Sequence, residues 1–71
     1  MKLTEAQRNF LTAALANPRW RWNQRPPCHW ATLDWAYRHD MIEIWNELHD
    51  GCDYELWRIS EAGRRALEDP K

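Results

Sequence analysis

Two stretches of this chain alternate as β-strands do, and they limit the fold more than any other feature. Met41-Ile42-Glu43-Ile44-Trp45-Asn46-Glu47 and Tyr54-Glu55-Leu56-Trp57-Arg58-Ile59 are rich in β-branched and aromatic residues, with Leu48-His49-Asp50-Gly51-Cys52-Asp53 between them. That pattern predicts a hairpin over 42–59. Alternation sends Ile42 and Ile44 to one face of the first strand, and Trp57 and Ile59 to one face of the second, so these four point to a core. Trp45, Tyr54 and Leu56 fall on the opposite face.

The rest of the chain reads as helices folded against that ribbon. Thr4-Glu5-Ala6-Gln7 fits a capping box with Leu3 at the staple position. Ala6, Phe10, Leu11, Ala13, Ala14 and Leu15 then form one stripe, which predicts a helix over 4–16, halted by Asn17-Pro18. In 17–27 neither period is sustained, although Arg19-Trp20-Arg21-Trp22 alternates like a short strand. Pro26-Pro27 presets a second helix near 28–39, with Trp30, Leu33, Ala36 and Tyr37 at core spacing. Asp40 follows where a left-handed residue closes such a helix. Ser60 is the expected N-cap of a final helix reaching about Glu68, with Ala62, Ala66 and Leu67 inward and Asp69-Pro70 ending it. The expected fold class is α+β.

With 71 residues, 44% of them hydrophobic, the chain closes one core and forms a single domain over 1–71. Six Trp, two Tyr and one Phe bury much area from few positions. Trp30 and Trp57 are assigned to the core. Trp20, Trp22, Trp35 and Trp45 are not placed inside by the pattern, and at least two of these are expected to cap the core edge. No apolar stretch has the length of a membrane span or a signal peptide, so no membrane contact and a cytoplasmic location are expected. Cys28 and Cys52 are then free thiols.

The chain end, Trp57-Arg58-Ile59-Ser60-Glu61-Ala62-Gly63-Arg64, resembles the strand-to-helix passage of winged helix-turn-helix regulators of the MarR type. Thr32-Leu33 through Arg38-His39-Asp40-Met41-Ile42-Glu43 is similar to the family's recognition helix running into its wing. The resemblance implies a small winged helix of bacterial or phage type and a DNA-binding transcriptional regulator. Segment 17–27 is too rich in proline for the family's second helix, and the hairpin is acidic where a wing meets phosphates. On this reading Arg19, Arg21, Arg25, His29, Thr32, Trp35, Arg38 and His39 are the candidate contacts to double-stranded DNA.

Charge supports a second reading. The chain carries net charge -1, but Arg19, Arg21, Arg25 and Arg38 stand against Asp34 alone in 17–39. The stretch 40–57 holds six carboxylates and no Lys or Arg. Carboxylates on the hairpin would repel a duplex. The alternative is a protein-interaction module or phage-type inhibitor. It would use Trp45, Glu47, Asp50, Asp53 and Glu55 against a basic host protein or nucleoprotein surface. The balance at this point tips slightly to DNA. Cys28-His29 and His49-x-x-Cys52 offer zinc-type ligands, but their spacing matches no knuckle, so no metal or other cofactor is expected. Scattered carboxylates, no supported Ser-His-Asp set and only two glycines argue for a non-enzyme. A monomer is expected.

Overall fold

Residues 42–59 form the hairpin, and everything else is placed by it. The computed structural model describes residues 2–68 as α1 (Glu5–Ala14), β1 (Trp20–Arg21), α2 (Trp30–Arg38), β2 (Ile42–His49), β3 (Cys52–Ile59) and α3 (Glu61–Glu68). The strands make one antiparallel sheet in the order β1-β3-β2. Ile42 faces Ile59 and Ile44 faces Trp57, as alternation requires. The connection is tighter than the six residues expected, because Asp50 (φ 52) and Gly51 (φ 78) alone make the turn. Left-handed conformation at both central residues is the hairpin turn whose twist matches the strands, and Asp-Gly accepts it at little cost. Trp20 and Arg21 pair with Trp57 and Leu56, so the short alternating stretch after α1 is a third strand.

The helices all lie on the face that carries Ile42, Ile44, Trp57 and Ile59. α1 starts with the capping box: the Gln7 amide donates to Thr4 Oγ1 at 3.1 Å and the Thr4 amide donates to Gln7 Oε1 at 3.0 Å. Leu3, Phe10, Leu11 and Ala14 are buried, whereas Leu15 is exposed because the helix ends at Ala14, two residues before the expected limit. α3 is capped by Ser60, whose Oγ accepts from the Gly63 amide at 3.1 Å and donates to the Asp40 carbonyl at 2.5 Å. Ala66 and Leu67 pack inward, but Gly63 takes the buried place expected of Ala62, which is exposed. The expected stop at Asp69-Pro70 lies outside the described residues.

α2 is rotated relative to the sequence expectation. His29 caps it, so it begins at Trp30, and the inward residues are Thr32 and Ala36 with Leu33 and Trp35 packed beside them. Trp30 is 72% exposed and Tyr37 58%, so both leave the core to which their spacing assigned them. The reason lies at the helix end. The Met41 amide donates to the Ala36 carbonyl at 2.8 Å and the Asp40 amide to the Tyr37 carbonyl at 3.3 Å, a Schellman closure that buries Met41 with Ala36. Docking through Ala36 turns the stripe through Trp30 and Tyr37 outward.

Asp40 holds the left-handed position of that closure (φ 56), as its place in the sequence predicts. Asp40→Gly is expected to stabilise the protein by about 0.5–1 kcal/mol, read as a raised denaturant midpoint. Glycine removes the Cβ strain, while the carbonyl still accepts from Ser60. A lowered midpoint would show that the carboxylate itself contributes.

Candidate interaction surface

The sheet has two faces, and the candidate residues divide between them. On the face away from the helices, the Arg19 guanidinium pairs with Glu47 and the Arg21 guanidinium lies 5.3 Å from the Tyr54 ring centre. The Trp45 indole donates to Glu47 Oε2 at 2.8 Å, and His49 Nε2 meets Glu47 Oε1 at 2.8 Å. Arg58 covers the Trp45 ring at 5.1 Å and pairs with Glu43 at 3.2 Å. Beneath this layer Leu56 is buried although it faces away from the core, because opposite residues Trp45 and Arg21 cover it. The hydrogen bonds from His49 and Trp45, with the charge of Arg19, hold the Glu47 carboxyl below the usual glutamate range. Its ion pair therefore persists above that range and is lost only as pH falls through the depressed value.

This arrangement corrects the expectation of an acidic hairpin flank. Alternation separates the carboxylates, and Glu43 and Glu47 are met by arginines that the block-wise charge count placed elsewhere. Asp50 sits at the turn, and Asp53 and Glu55 fall on the helix-side face beyond the core.

The eight candidate DNA contacts are not brought together. Arg19 and Arg21 lie on the far side of the sheet from α2. Thr32 is buried and Trp35 half-buried against the core, with its ring 6.0 Å from that of His39, so neither is an outward reading position. His29 is exposed but committed to capping, its Nδ1 accepting from the Ala31 amide at 3.1 Å. Arg38 pairs with Asp34 on its own helix at 3.0 Å. Arg25 and His39 are exposed.

What sequence reasoning missed is a groove between α2 and the helix-side face of the hairpin, an open cleft of about 1150 Å³. Its apolar lining is Trp22, Trp30, Leu33, Tyr37, Ile42 and Ile44. Trp22, Trp30 and Tyr37 are exposed, so rings that would stabilise a core stand in water along one cleft. Asp34, Asp40, Glu43, Glu55 and Glu61 also line it, with Arg38; three of these carboxylates are already paired, Asp34 with Arg38, Glu43 with Arg58 and Glu61 with Arg65 at 2.7 Å. The signal for it was the length of α2. Nine residues cannot bury the stripe through Thr32 and Ala36 and also the one through Trp30 and Tyr37.

Partial desolvation raises the Cys28 thiol above its ordinary pKa, only partly opposed by Arg25, which disfavours the nucleophilic thiolate. Cys28 and Cys52 are both free and exposed. Among the described residues no three His, Cys, Asp or Glu side chains converge as a metal site needs, and no helix is long and apolar enough to cross a membrane. Comparisons with protein-family models, with curated proteins and with solved structures return no match to this chain.

Proposed function

We propose that the protein is a small, non-enzymatic binding module of winged-helix type that docks a cationic, partly apolar protein segment in the groove between α2 and the hairpin. The observation that carries this reading is the convergence of exposed Trp22, Trp30 and Tyr37 in one cleft rimmed by carboxylates. Large aromatic side chains are the usual anchors of protein interfaces, and a carboxylate rim selects Lys and Arg on the partner. The order of elements is compatible with the winged-helix resemblance, with α2 in the place of the recognition helix and β2–β3 as the wing. The pairing of Arg19 with Glu47 and of Arg38 with Asp34 weighs against phosphate binding. Arg25 and His39, exposed on either side of α2, favour the second reading, a regulator that lays this helix in a DNA groove.

Selecting random peptides on the immobilised protein and titrating the winners in solution tests the first reading. Peptides combining Lys or Arg with large apolar residues are expected, and the double variant Trp30→Ala, Tyr37→Ala is expected to weaken them about tenfold or more with an unchanged melting temperature. A mixed duplex that binds instead, with a steep salt dependence and no response to that variant, transfers the function to DNA.

A further inference from the structure

We propose that β2 pairs with β2 of a second copy of this chain, antiparallel, with Asn46 on the two-fold axis. This inference does not rest on the docking reading above. β2 is eight residues long and lies at the edge of the sheet, where no other strand among the described residues pairs with its outer side. The two-residue turn makes His49 and Cys52 a hydrogen-bonded pair. By alternation Glu43, Trp45, Glu47 and His49 therefore aim their backbone groups at β3. Ile42, Ile44, Asn46 and Leu48 aim theirs outward. The other side of β3 agrees: Glu55, opposite Asn46, turns its carbonyl away from β2 to accept from the Trp22 amide at 3.0 Å.

Such an edge is normally blunted by proline, lysine or a bulge. β2 has none of these, and its register with β3 is unbroken. Arg58 and Arg19 pair with its two glutamates, which lowers their cost at the edge so long as no second carboxylate is set directly opposite them. Leu48 is 72% exposed on the helix-side face, beyond the cover of the helices.

The sequence of β2 selects a second copy as occupant, and one register. Pairing must keep residues of one face together, so the strand admits only two fully overlapped antiparallel self-registers. One centres on Trp45 and sets Glu43 opposite Glu47 of the other copy twice. The other centres on Asn46 and sets Glu43 opposite His49, Trp45 opposite Glu47 and Ile44 opposite Leu48, with the two Asn46 amides facing each other. Both registers cover Leu48 with an aliphatic side chain, Ile42 in the first and Ile44 in the second, but only the second avoids opposed carboxylates. The result is a continuous six-stranded sheet with both sets of helices on one face.

An edge contact is a small interface, so sedimentation velocity is expected to show a reversible dimer growing in between about 10 and 500 µM. Asn46→Pro removes an outward amide that β3 does not use, and Leu48→Lys charges the edge; each is expected to weaken the dimer about tenfold or more with circular dichroism unchanged. Directly paired positions of this type lie about 5.5 Å apart between Cα atoms, within disulfide reach. With Cys28→Ser and Cys52→Ser, Asn46→Cys is therefore expected to cross-link on mild oxidation and Trp45→Cys is not. A protein that stays monomeric to 500 µM overturns the proposal. So does a dimer that ignores Leu48→Lys, or cross-linking through position 45 in place of 46.

Discussion

Replacing Trp57 by alanine is expected to cost about 3–5 kcal/mol, most or all of the stability of a domain this size. Trp57 is 1% exposed and stacks with two other rings. Phe10 of α1 stacks on it at 5.9 Å between ring centres, and Trp20 of β1 at 5.3 Å. Its indole N–H donates to the Gln24 carbonyl at 3.0 Å, and that of Trp20 donates to the Ala14 carbonyl at the end of α1, also at 3.0 Å. One ring thus joins α1, the sheet and the proline-rich segment, whose last backbone bond to β3 is the one from the Trp22 amide. Equilibrium denaturation is the measurement. Since the alanine variant is expected to be largely unfolded, Trp57→Phe supplies a graded value. It keeps a stacked ring, loses the bond to Gln24 and is expected to cost about 1–2 kcal/mol. A phenylalanine variant as unstable as the alanine one would place the energy in the hydrogen bond and not in the stack.

That stack also marks the limit of what the sequence discloses. Elements were legible where a short-range rule acts alone: the capping box at Thr4, the alternation over 42–59, the left-handed Asp40, the cap at Ser60. Trp57 as core followed from the same patterns, whereas the expectation that at least two of Trp20, Trp22, Trp35 and Trp45 cap the core edge did not say which; the structure makes them Trp20 and Trp35. The misplacements arose where tertiary packing chooses between two local solutions. Of the expected stripe Trp30, Leu33, Ala36 and Tyr37, the inner pair Leu33 and Ala36 packs inward, and the burial of Met41 with Ala36 brings in Thr32 in place of Trp30 and Tyr37. With that one rotation Thr32 moves inward, two aromatic rings move outward, and the groove comes into being. The charge blocks failed for a related reason. A count along the chain does not know that strand alternation sends Glu43 and Glu47 to one face and Asp53 and Glu55 to the other, or that Arg19 and Arg58 are set beside the first pair.

Gly63→Ala is expected to destabilise the protein by about 2–3 kcal/mol, although the same change in an open helix is worth about 1 kcal/mol in the opposite direction. Gly63 is buried in the first turn of α3, and a Cβ there would lie 2.7 Å from Ile59 Cγ1 and closer still to the Met41 carbonyl oxygen. That carbonyl is not free to withdraw, because it accepts from the Ser60 amide at 2.9 Å. Nor is Ile59, 3% exposed and paired with Ile42. The glycine therefore lets α3 sit directly on the junction where α2 closes and β2 begins, the same junction that sets the rotation of α2. Heteronuclear NMR of the alanine variant is expected to show shifts spreading from Met41 and Ile59 into α2, with the exposed Trp30 and Tyr37 among the affected residues. Ala62→Gly, next to it but exposed, provides the comparison: it is expected to lose only the ordinary helix preference of about 0.5–1 kcal/mol. If Gly63→Ala raised stability, the close approach of α3 to Met41 would be absent in solution, and the account of how the groove is held open would fall with it.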